Sequence, residues 1–400
     1  MRLAVVGGKL QGTEAAYLAG EAGYEVVLID RCAHRPASGL AAETHVFDVT
    51  ADPVRTRELL LGCDAVLPAC EDQATLEFLS SFAPGLGVPL LFDYNAYLVT
   101  QSKLASNELF ARLDVPRPLP WPACGLPAVV KPSVGSGSSG VRLVVSEPGL
   151  VLARAALAAA GEQAVVEEYV AGPSLSIEVI ALGGEALTLL PTFLEFDAVY
   201  DCKRVVAPVD VGPGAAPVSE ATMTALDDVA RRLADGVALG GVMDVEVMVA
   251  ADGTPKVIEI DARLPSQTPA AVFHASGANI VELLVESFAA GRPPAAAPQA
   301  LGAAVYEHVL VDNGRVEVLG EHVVGGAGPL RRCDGLFDAD VVLTDRPDSG
   351  AARGRWVAVL MTRAATAAAA RGRAAAAVAR LAYEHGLELV PESEPVLVTP

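Results

Sequence analysis

"VIEIDARLPSQTP", Val257 to Pro269, carries an unusual face. Val257 to Ala262 alternates apolar residues and reads as a strand. Successive side chains of a strand point to opposite faces. Glu259, Asp261 and Arg263 therefore share one face, and Ile258 and Ile260 the other. The residues before it add more acid. "GVMDVEVMVAADGTPKVIEIDAR" has two alternating runs around Asp252-Gly253, a hairpin-turn signal. With those two residues as the loop, Ala251 pairs with Thr254. Counting outward then sets Glu246 opposite Glu259 and Asp244 opposite Asp261. Like charges directly across a ladder destabilise a sheet. A bound cation is the simplest compensation, and magnesium takes carboxylate oxygens together with waters and substrate phosphates. A solvated acidic face is the plain alternative.

Upstream of the hairpin, strands and helices alternate. "RLAVVGG", "GTEAAYLAGEAG" and "YEVVLID" read as strand, helix and strand, and "VRTRELLLGC", "AVLPACED", "ATLEFLSSFAPG" and "PLLFD" continue the rhythm. Alternating βα units imply a parallel, doubly wound sheet, placed at residues 1–95. A helical segment around Lys103 and a proline-rich connection, "PRPLPWPACGLP", open a second region at 96–184. The third, 185–400, contains the acidic hairpin, the helix "NIVELLVESFAAG" and an alanine-rich helix capped by Gly386.

The 400 residues carry a net charge of −20, which argues against nucleic acid or an anionic membrane as a partner and is compatible with a cationic substrate. No apolar run reaches the length of about 18 residues that a transmembrane helix needs. "MRLAVVGG" enters a strand directly and lacks a signal-peptide pattern. The six cysteines are scattered without C-x-x-C, which fits neither a zinc site nor a disulfide framework. These features suggest a cytoplasmic protein. A homo-oligomer is compatible with all of them.

Three further motifs carry chemistry. "GGKLQG", Gly7 to Gly12, approaches a dinucleotide fingerprint but has Lys9 where a glycine normally lets the backbone approach a pyrophosphate. Asp30 ends the next strand, where a ribose-binding acid would sit. The stretch suits a secondary nucleotide site or a substrate facing Lys9, Leu10 and Gln11. "VVKPSVGSGSSGV" sets Lys131 at a strand end before a glycine–serine loop able to wrap phosphate oxygens, although it is not a Walker loop. "VVEEYV" ends a strand with Glu167 and Glu168.

In this order, the helical Lys103, V-V-K-P with its loop, E-E-Y-V and E-I-D-A-R resemble the ATP-grasp superfamily of carboxylate–amine ligases over nearly the whole chain. "VVGGKLQGTEAAYL", "DAVLP", "GVMDVE", "IDARLPSQTP" and "SGANIVELL" are similar to a branch acting on L-lysine and 3-methyl-D-ornithine. "IDARLPSQTP" is the most specific of these, since most members carry an asparagine where Asp261 stands.

The resemblance implies a three-domain α/β ATP-grasp fold with an N-terminal Rossmann-like parallel sheet, and ATP and Mg2+ as cofactors. Lys103 and Lys131 would contact phosphates, and Ser138, Ser139 and Gly140 would belong to the phosphate lid. Glu167, Glu168 and Val170 would hold the adenine edge, and Glu246, Glu259 and Asp261 the metal. Ser174 stands where many members have a ribose-binding glutamate, which leaves the ribose contact open.

Arg263, with Lys131, is the catalytic candidate, because it reaches the transferred phosphate or the tetrahedral oxyanion. A salt bridge to Glu259 or Asp261 is its structural alternative. Glu71 and Asp72, at a strand's C-terminal end, are candidates for holding lysine beside Lys9 and Gln11. Asp201, Arg263 and Ser266 are candidates for the ornithine-like acid, and Glu178 is a further substrate candidate. A different amino-acid ligase, a carboxylase-like enzyme and a non-catalytic nucleotide-binding module are the competing readings.

Overall fold

The computed structural model describes residues 1–135, 137–210, 218–347 and 354–392. The first sheet holds β1 (Arg2–Val6), β2 (Glu25–Asp30), β3 (Glu43–Val46) and β4 (Ala65–Pro68) in the order β3-β2-β1-β4. All its pairings are parallel. The cores of β1, β2 and β4 are near-continuous apolar runs, as a sheet covered on both faces requires. The chain leaves β1 to one side for β2 and returns on the other as β4. Ligands of open α/β sheets bind at that switch point, beyond the strands' C-terminal ends. Gly7, at φ +107°, turns the chain there, and a Cβ on it would meet the Ala69 carbonyl oxygen at 2.5 Å.

The second sheet is small: β5 (Ala128–Pro132), β6 (Arg142–Val144) and β7 (Ala164–Glu168), in the antiparallel order β6-β5-β7. The helix Glu147–Ala159 covers it. Ser146 caps that helix by accepting the Gly149 N–H, and Pro148 stands in its first turn. Leu150 and Ala153 pack onto Ala128, Val130 and Val144.

The remaining strands form one 12-stranded sheet. They are β8 (Ser174–Leu182), β9 (Glu185–Thr188), β10 (Thr192–Phe196), β11 (Cys202–Ala207), β12 (Gly241–Val249), β13 (Pro255–Asp261), β14 (Ala303–Asp312), β15 (Arg315–Leu319), β16 (Arg331–Asp334), β17 (Val341–Thr344), β18 (Trp356–Ala364) and β19 (Glu388–Leu389). The sequence reading groups β8 with the central region. In the structure β8 is hydrogen-bonded along its length to β12 of the large sheet. The alanine-rich helix runs Ala367–His385, between a Thr366 cap and Gly386 at φ +60°. No described helix is long and apolar enough to cross a membrane.

Candidate active site

The acidic hairpin is β12–β13, at one edge of the large sheet. Glu246 stands opposite Glu259 and Asp244 opposite Asp261. The route to this register differs from the simple count. The Ala250 N–H donates to the Thr254 carbonyl, so the loop has three residues, Ala251 to Gly253, with Gly253 at φ +85°. A bulge beyond Val247–Val257 leaves Ile258 unmatched and restores the offset. The bulge also turns out the Ile258 carbonyl, which accepts from Lys131 Nζ at 2.8 Å.

Cations reach the outer acids of this face. Lys103 Nζ lies 2.7 Å from Glu259 Oε1, and Arg263 Nη2 lies 3.0 Å from Asp261 Oδ2. Inside, the Ser176 hydroxyl donates to Asp244. Burial, then repulsion from Asp244, Glu259 and Asp261, drives the Glu246 carboxyl well above its ordinary value. Burial and the neighbouring Glu178 raise Asp244 to about 8, and burial raises Asp261 to about 7 against the pull of Arg263. Hard oxygen donors crowded at this cost match a divalent cation, which would replace the protons.

A cavity of about 590 Å³ opens between the small sheet and the hairpin, within the range of small-molecule sites. Lys103, Lys131, Ser138 and Ser139 line it with Glu246 and Glu259. Gly140, at φ +78°, turns the loop behind Ser139. The strand end Glu167–Val170 borders the same cavity. Glu167 pairs with Lys131 at 2.6 Å and Glu168 with Lys256 at 2.7 Å, so both carboxylates of this strand end are already engaged. Ser174 is in the wall. So is Lys203, which sequence reasoning passed over although it sits two residues from Asp201 in "VYDCKR".

A second cavity, of about 460 Å³, lies at the switch point of the first sheet. Lys9, Leu10, Gln11, Asp30, Glu71 and Asp72 all line it. Glu71 Oε1 accepts from Gln11 Nε2 at 3.0 Å and lies 2.9 Å from Arg263 Nη2, which ties the first domain to the end of β13.

A narrow cavity of about 90 Å³ joins the two. It shares Glu246, Glu259 and Ser138 with the first and Arg263, Ser266 and Glu321 with the second. Asp201 lines it, with one oxygen held by the His322 backbone N–H at 3.0 Å and by the His322 ring. Glu321 accepts from Ser266 Oγ at 2.6 Å and Gln267 Nε2 at 2.8 Å. Glu321 and Gln267 escaped the sequence reading. Glu321 lies about 60 residues past the motif and only the sheet brings it back.

Two of the expected ligands, Asp30 and Asp72, also carry structural bonds, and a third, Glu178, is fully buried. Asp30 accepts from the Gly8 N–H at 2.9 Å, the Cys32 N–H at 2.8 Å and Arg35 Nε at 2.9 Å, so its oxygens fix the glycine turn and leave little for a ribose. Asp72 is the N-cap of the helix Gln73–Gly85, accepting from the Thr75 N–H and hydroxyl. Those bonds, with Arg31, hold its carboxyl below the usual range. Glu178 is 0% exposed in mid-sheet opposite Asp244, out of a ligand's reach. Burial raises it to about 7.

Residues 100–267 match the ATP-grasp domain family. The chain is 34% identical over 376 residues to the 3-methyl-D-ornithine–L-lysine ligase of Methanosarcina barkeri, covering 90% of this chain and 98% of the relative. It is 36% identical over 324 residues to the ligase of the same name from Methanosarcina acetivorans, covering 80% and 83%. Among solved structures, the biotin carboxylase domain of Hydrogenobacter thermophilus 2-oxoglutarate carboxylase, determined with MgADP and bicarbonate, superposes with a TM-score of 0.72 at 15% identity. That match covers 94% of this chain and 89% of the other and supports the fold.

Proposed function

This chain belongs to the ATP-grasp family of 3-methyl-D-ornithine–L-lysine ligases, and we propose that it joins the carboxylate of 3-methyl-D-ornithine to the ε-amine of L-lysine, forming ADP and phosphate, as a step towards pyrrolysine. The observation that carries the site assignment is the row of three cavities with shared walls. ATP occupies the cavity under the small sheet, the carboxyl donor the narrow one, and lysine the cavity at the first sheet's switch point. Each reactant then abuts the next.

In the first step the donor carboxylate takes the γ-phosphoryl group and ADP leaves. In the second, the ε-amine of lysine attacks the acyl carbon of the mixed anhydride, phosphate departs and the nitrogen loses its proton. Such phosphoryl transfer rests on positioning and charge neutralisation. Lys103, Lys131 and Lys203 neutralise phosphate oxygens. Ser138 and Ser139 offer hydroxyl donors from the lid loop, and the chain around Val170 borders the adenine. Arg263 reaches the narrow cavity and the lysine cavity, so it steadies negative charge at the acyl centre. Glu71, Lys9 and Gln11 hold lysine. Asp201 takes an amine of the donor, and Arg263 and Ser266 hold its carboxylate.

Glu246, Glu259 and Asp261 fit Mg2+, which when bound neutralises phosphate charge. Six free cysteines, none in a disulfide, agree with a reducing cytosol.

The test is ADP release with single amino acids and with pairs, products being identified by mass. Release that requires 3-methyl-D-ornithine or D-ornithine together with L-lysine supports the ligase. Equal release with either amino acid alone, or none with any pair, rejects it.

A further inference from the structure

Lys103, Lys131 and Lys203 line the cavity under the small sheet, and each ammonium meets a carboxylate. Lys103 pairs with Glu259, Lys131 with Glu167, and Lys203 with Glu392, whose Oε2 lies 2.9 Å from Lys203 Nζ. Glu259 and Glu167 stand in the cavity wall themselves, whereas Glu392 is no part of it. It comes from the far end of the chain and approaches Lys203 from outside the wall. A phosphate that reaches Lys203 from inside therefore leaves Glu392 in place.

Two local features bring this pair together. β11 pairs with β10 as Glu195 opposite Arg204 and Phe196 opposite Cys202, which leaves Lys203 as the extra residue of a bulge. Neighbouring strand residues ordinarily point to opposite faces, and a bulge re-aims a side chain. Lys203, with its side chain only 6% exposed, enters the cavity wall, and both it and Arg204 still reach Glu392. The C-terminal tail supplies the second feature. After the alanine-rich helix, Glu388 and Val390 donate their N–H groups to the Gly314 and Val316 carbonyls at 2.9 and 3.0 Å, alongside β15. This edge pairing fastens the tail and delivers Glu392 two residues later.

Arg204 anchors the carboxylate once it arrives. Its Nη2 lies 2.6 Å from Glu392 Oε1, while Nε and Nη1 hold the fully buried Glu307 and Glu195. Glu195 also takes Arg371. Lys203, Arg204 and Arg371 are thus set against Glu195, Glu307 and Glu392, and the tail provides the third acid. A lysine side chain is flexible and loses rotamer freedom when it is fixed. A carboxylate already holding its ammonium makes that loss part of folding, so that less is lost when a phosphate binds.

We infer that Glu392 is a positioning residue for the nucleotide: from outside the cavity it holds the Lys203 ammonium in the wall, ready for a phosphate oxygen, and so makes the C-terminal tail a part of the ATP site. The inference rests on the reading of this cavity as the ATP site and deepens it. Glu392 touches neither nucleotide nor amino acid and acts through Lys203.

The test is a double-mutant cycle read by calorimetry with a non-hydrolysable ATP analogue and Mg2+. Lys203→Met should weaken binding by about tenfold or more, the scale of one charge-assisted contact. Glu392→Ala should weaken it by roughly three- to tenfold, within the coupling range of groups in one ion-pair network. Glu392→Gln keeps an acceptor for Lys203 and should fall between Glu392→Ala and the wild type. In the Lys203→Met background, Glu392→Ala should change affinity by no more than about twofold, as far as independent sites depart from additivity. Adenosine, which has no phosphates, should bind every variant as it binds the wild type.

Wild-type or tighter analogue binding in Glu392→Ala overturns the positioning role. So does a full loss that persists in the Lys203→Met background, or an equal loss for adenosine, which marks a tail that only supports the fold. A loss in Lys203→Met with Glu392→Ala silent keeps the phosphate reading and rejects the positioning alone. Unchanged affinity in Lys203→Met removes Lys203 from the phosphates and the inference with it, while pair-dependent ADP release would still uphold the ligase. Coupled loss of analogue affinity without pair-dependent ADP release keeps the positioning and rejects ligation.

Discussion

The acidic hairpin and the C-terminal ends of the first sheet both gather carboxylates at a cavity wall, yet those carboxylates are in opposite states. Around the first sheet, both oxygens of Asp30 accept from backbone N–H groups and Arg35, and Asp72 Oδ1 accepts from the Thr75 N–H and hydroxyl. The Asp72 carboxyl is held below its usual range by those bonds and by Arg31. In the hairpin, Glu246 and Asp244 face like charges across the ladder, and burial with that repulsion pushes their pKa values up. An acid whose oxygens accept from the backbone serves the fold, whereas several acids crowded on one buried face suit a cation. Glu71 falls between these cases: it contacts Gln11 and Arg263 but still borders open space.

The sharpest break of this contrast is Glu259→Gln. Removing one preorganised charge from the hairpin should lower kcat by about 10²–10³-fold at ordinary magnesium, a typical scale for such groups, with the melting temperature preserved. Wild-type turnover at ordinary magnesium would remove Glu259 from the metal set. Next comes Lys131→Ala. A charge-assisted contact is worth about 1.5–3 kcal/mol, so calorimetry should show ATP binding weakened by roughly 10- to 150-fold. Unchanged affinity would place the phosphates elsewhere.

Two adjacent residues test the middle of the comparison. Glu71→Ala should raise the lysine KM by about tenfold or more, the scale of one charged contact, and leave the ATP KM alone. Asp72→Ala should leave both KM values alone and cost about 0.5–2 kcal/mol of stability, as the loss of an N-cap does. Reversal of the two phenotypes would show that the cap and the ligand have been exchanged.

The mildest prediction concerns Glu14, a buried acid of the first domain that accepts the Ala270 N–H at 2.6 Å and so caps the helix Thr268–Ser276, which follows the loop after β13. Burial lifts its carboxyl from 4.5 to about 8. Between those values the folded chain holds a proton that the unfolded chain releases. Its contribution to stability is therefore full below pH 4.5 and is lost as pH rises through about 8. Glu14→Gln keeps the acceptor and removes the titration, so its melting temperature should decline less steeply across that window. Equal slopes for the two proteins would reject the assignment.

Much of the site is legible along the chain because its parts are strand-periodic. Alternation alone puts Glu259 and Asp261 on one face. The opposition of Glu246 and Glu259 emerges from counting, although two offsets had to cancel, the longer loop and the Ile258 bulge. Bulges are invisible to a count because they change pairing without changing composition. The capped helix Glu147–Ala159 starts at a signal that sequence holds, Ser146 followed by Pro148.

Sequence by itself therefore determined the fold family, the alternation of strands and helices in the first sheet, the lysines and serines that come to line the cavity under the small sheet and the acids of the hairpin. Each is a local pattern whose period or motif survives without knowledge of its neighbours. Tertiary structure alone decided which partners each acid has and which acids border a cavity. Asp30 and Asp72 look no different in sequence from Glu71, and Glu178 none from Glu246. Their difference lies in which backbone N–H groups and cations reach them, and in whether any of their surface meets a cavity. It also brought Glu321 and Gln267 to Asp201, because long-range strand pairing sets those distances and no spacing along the chain records it.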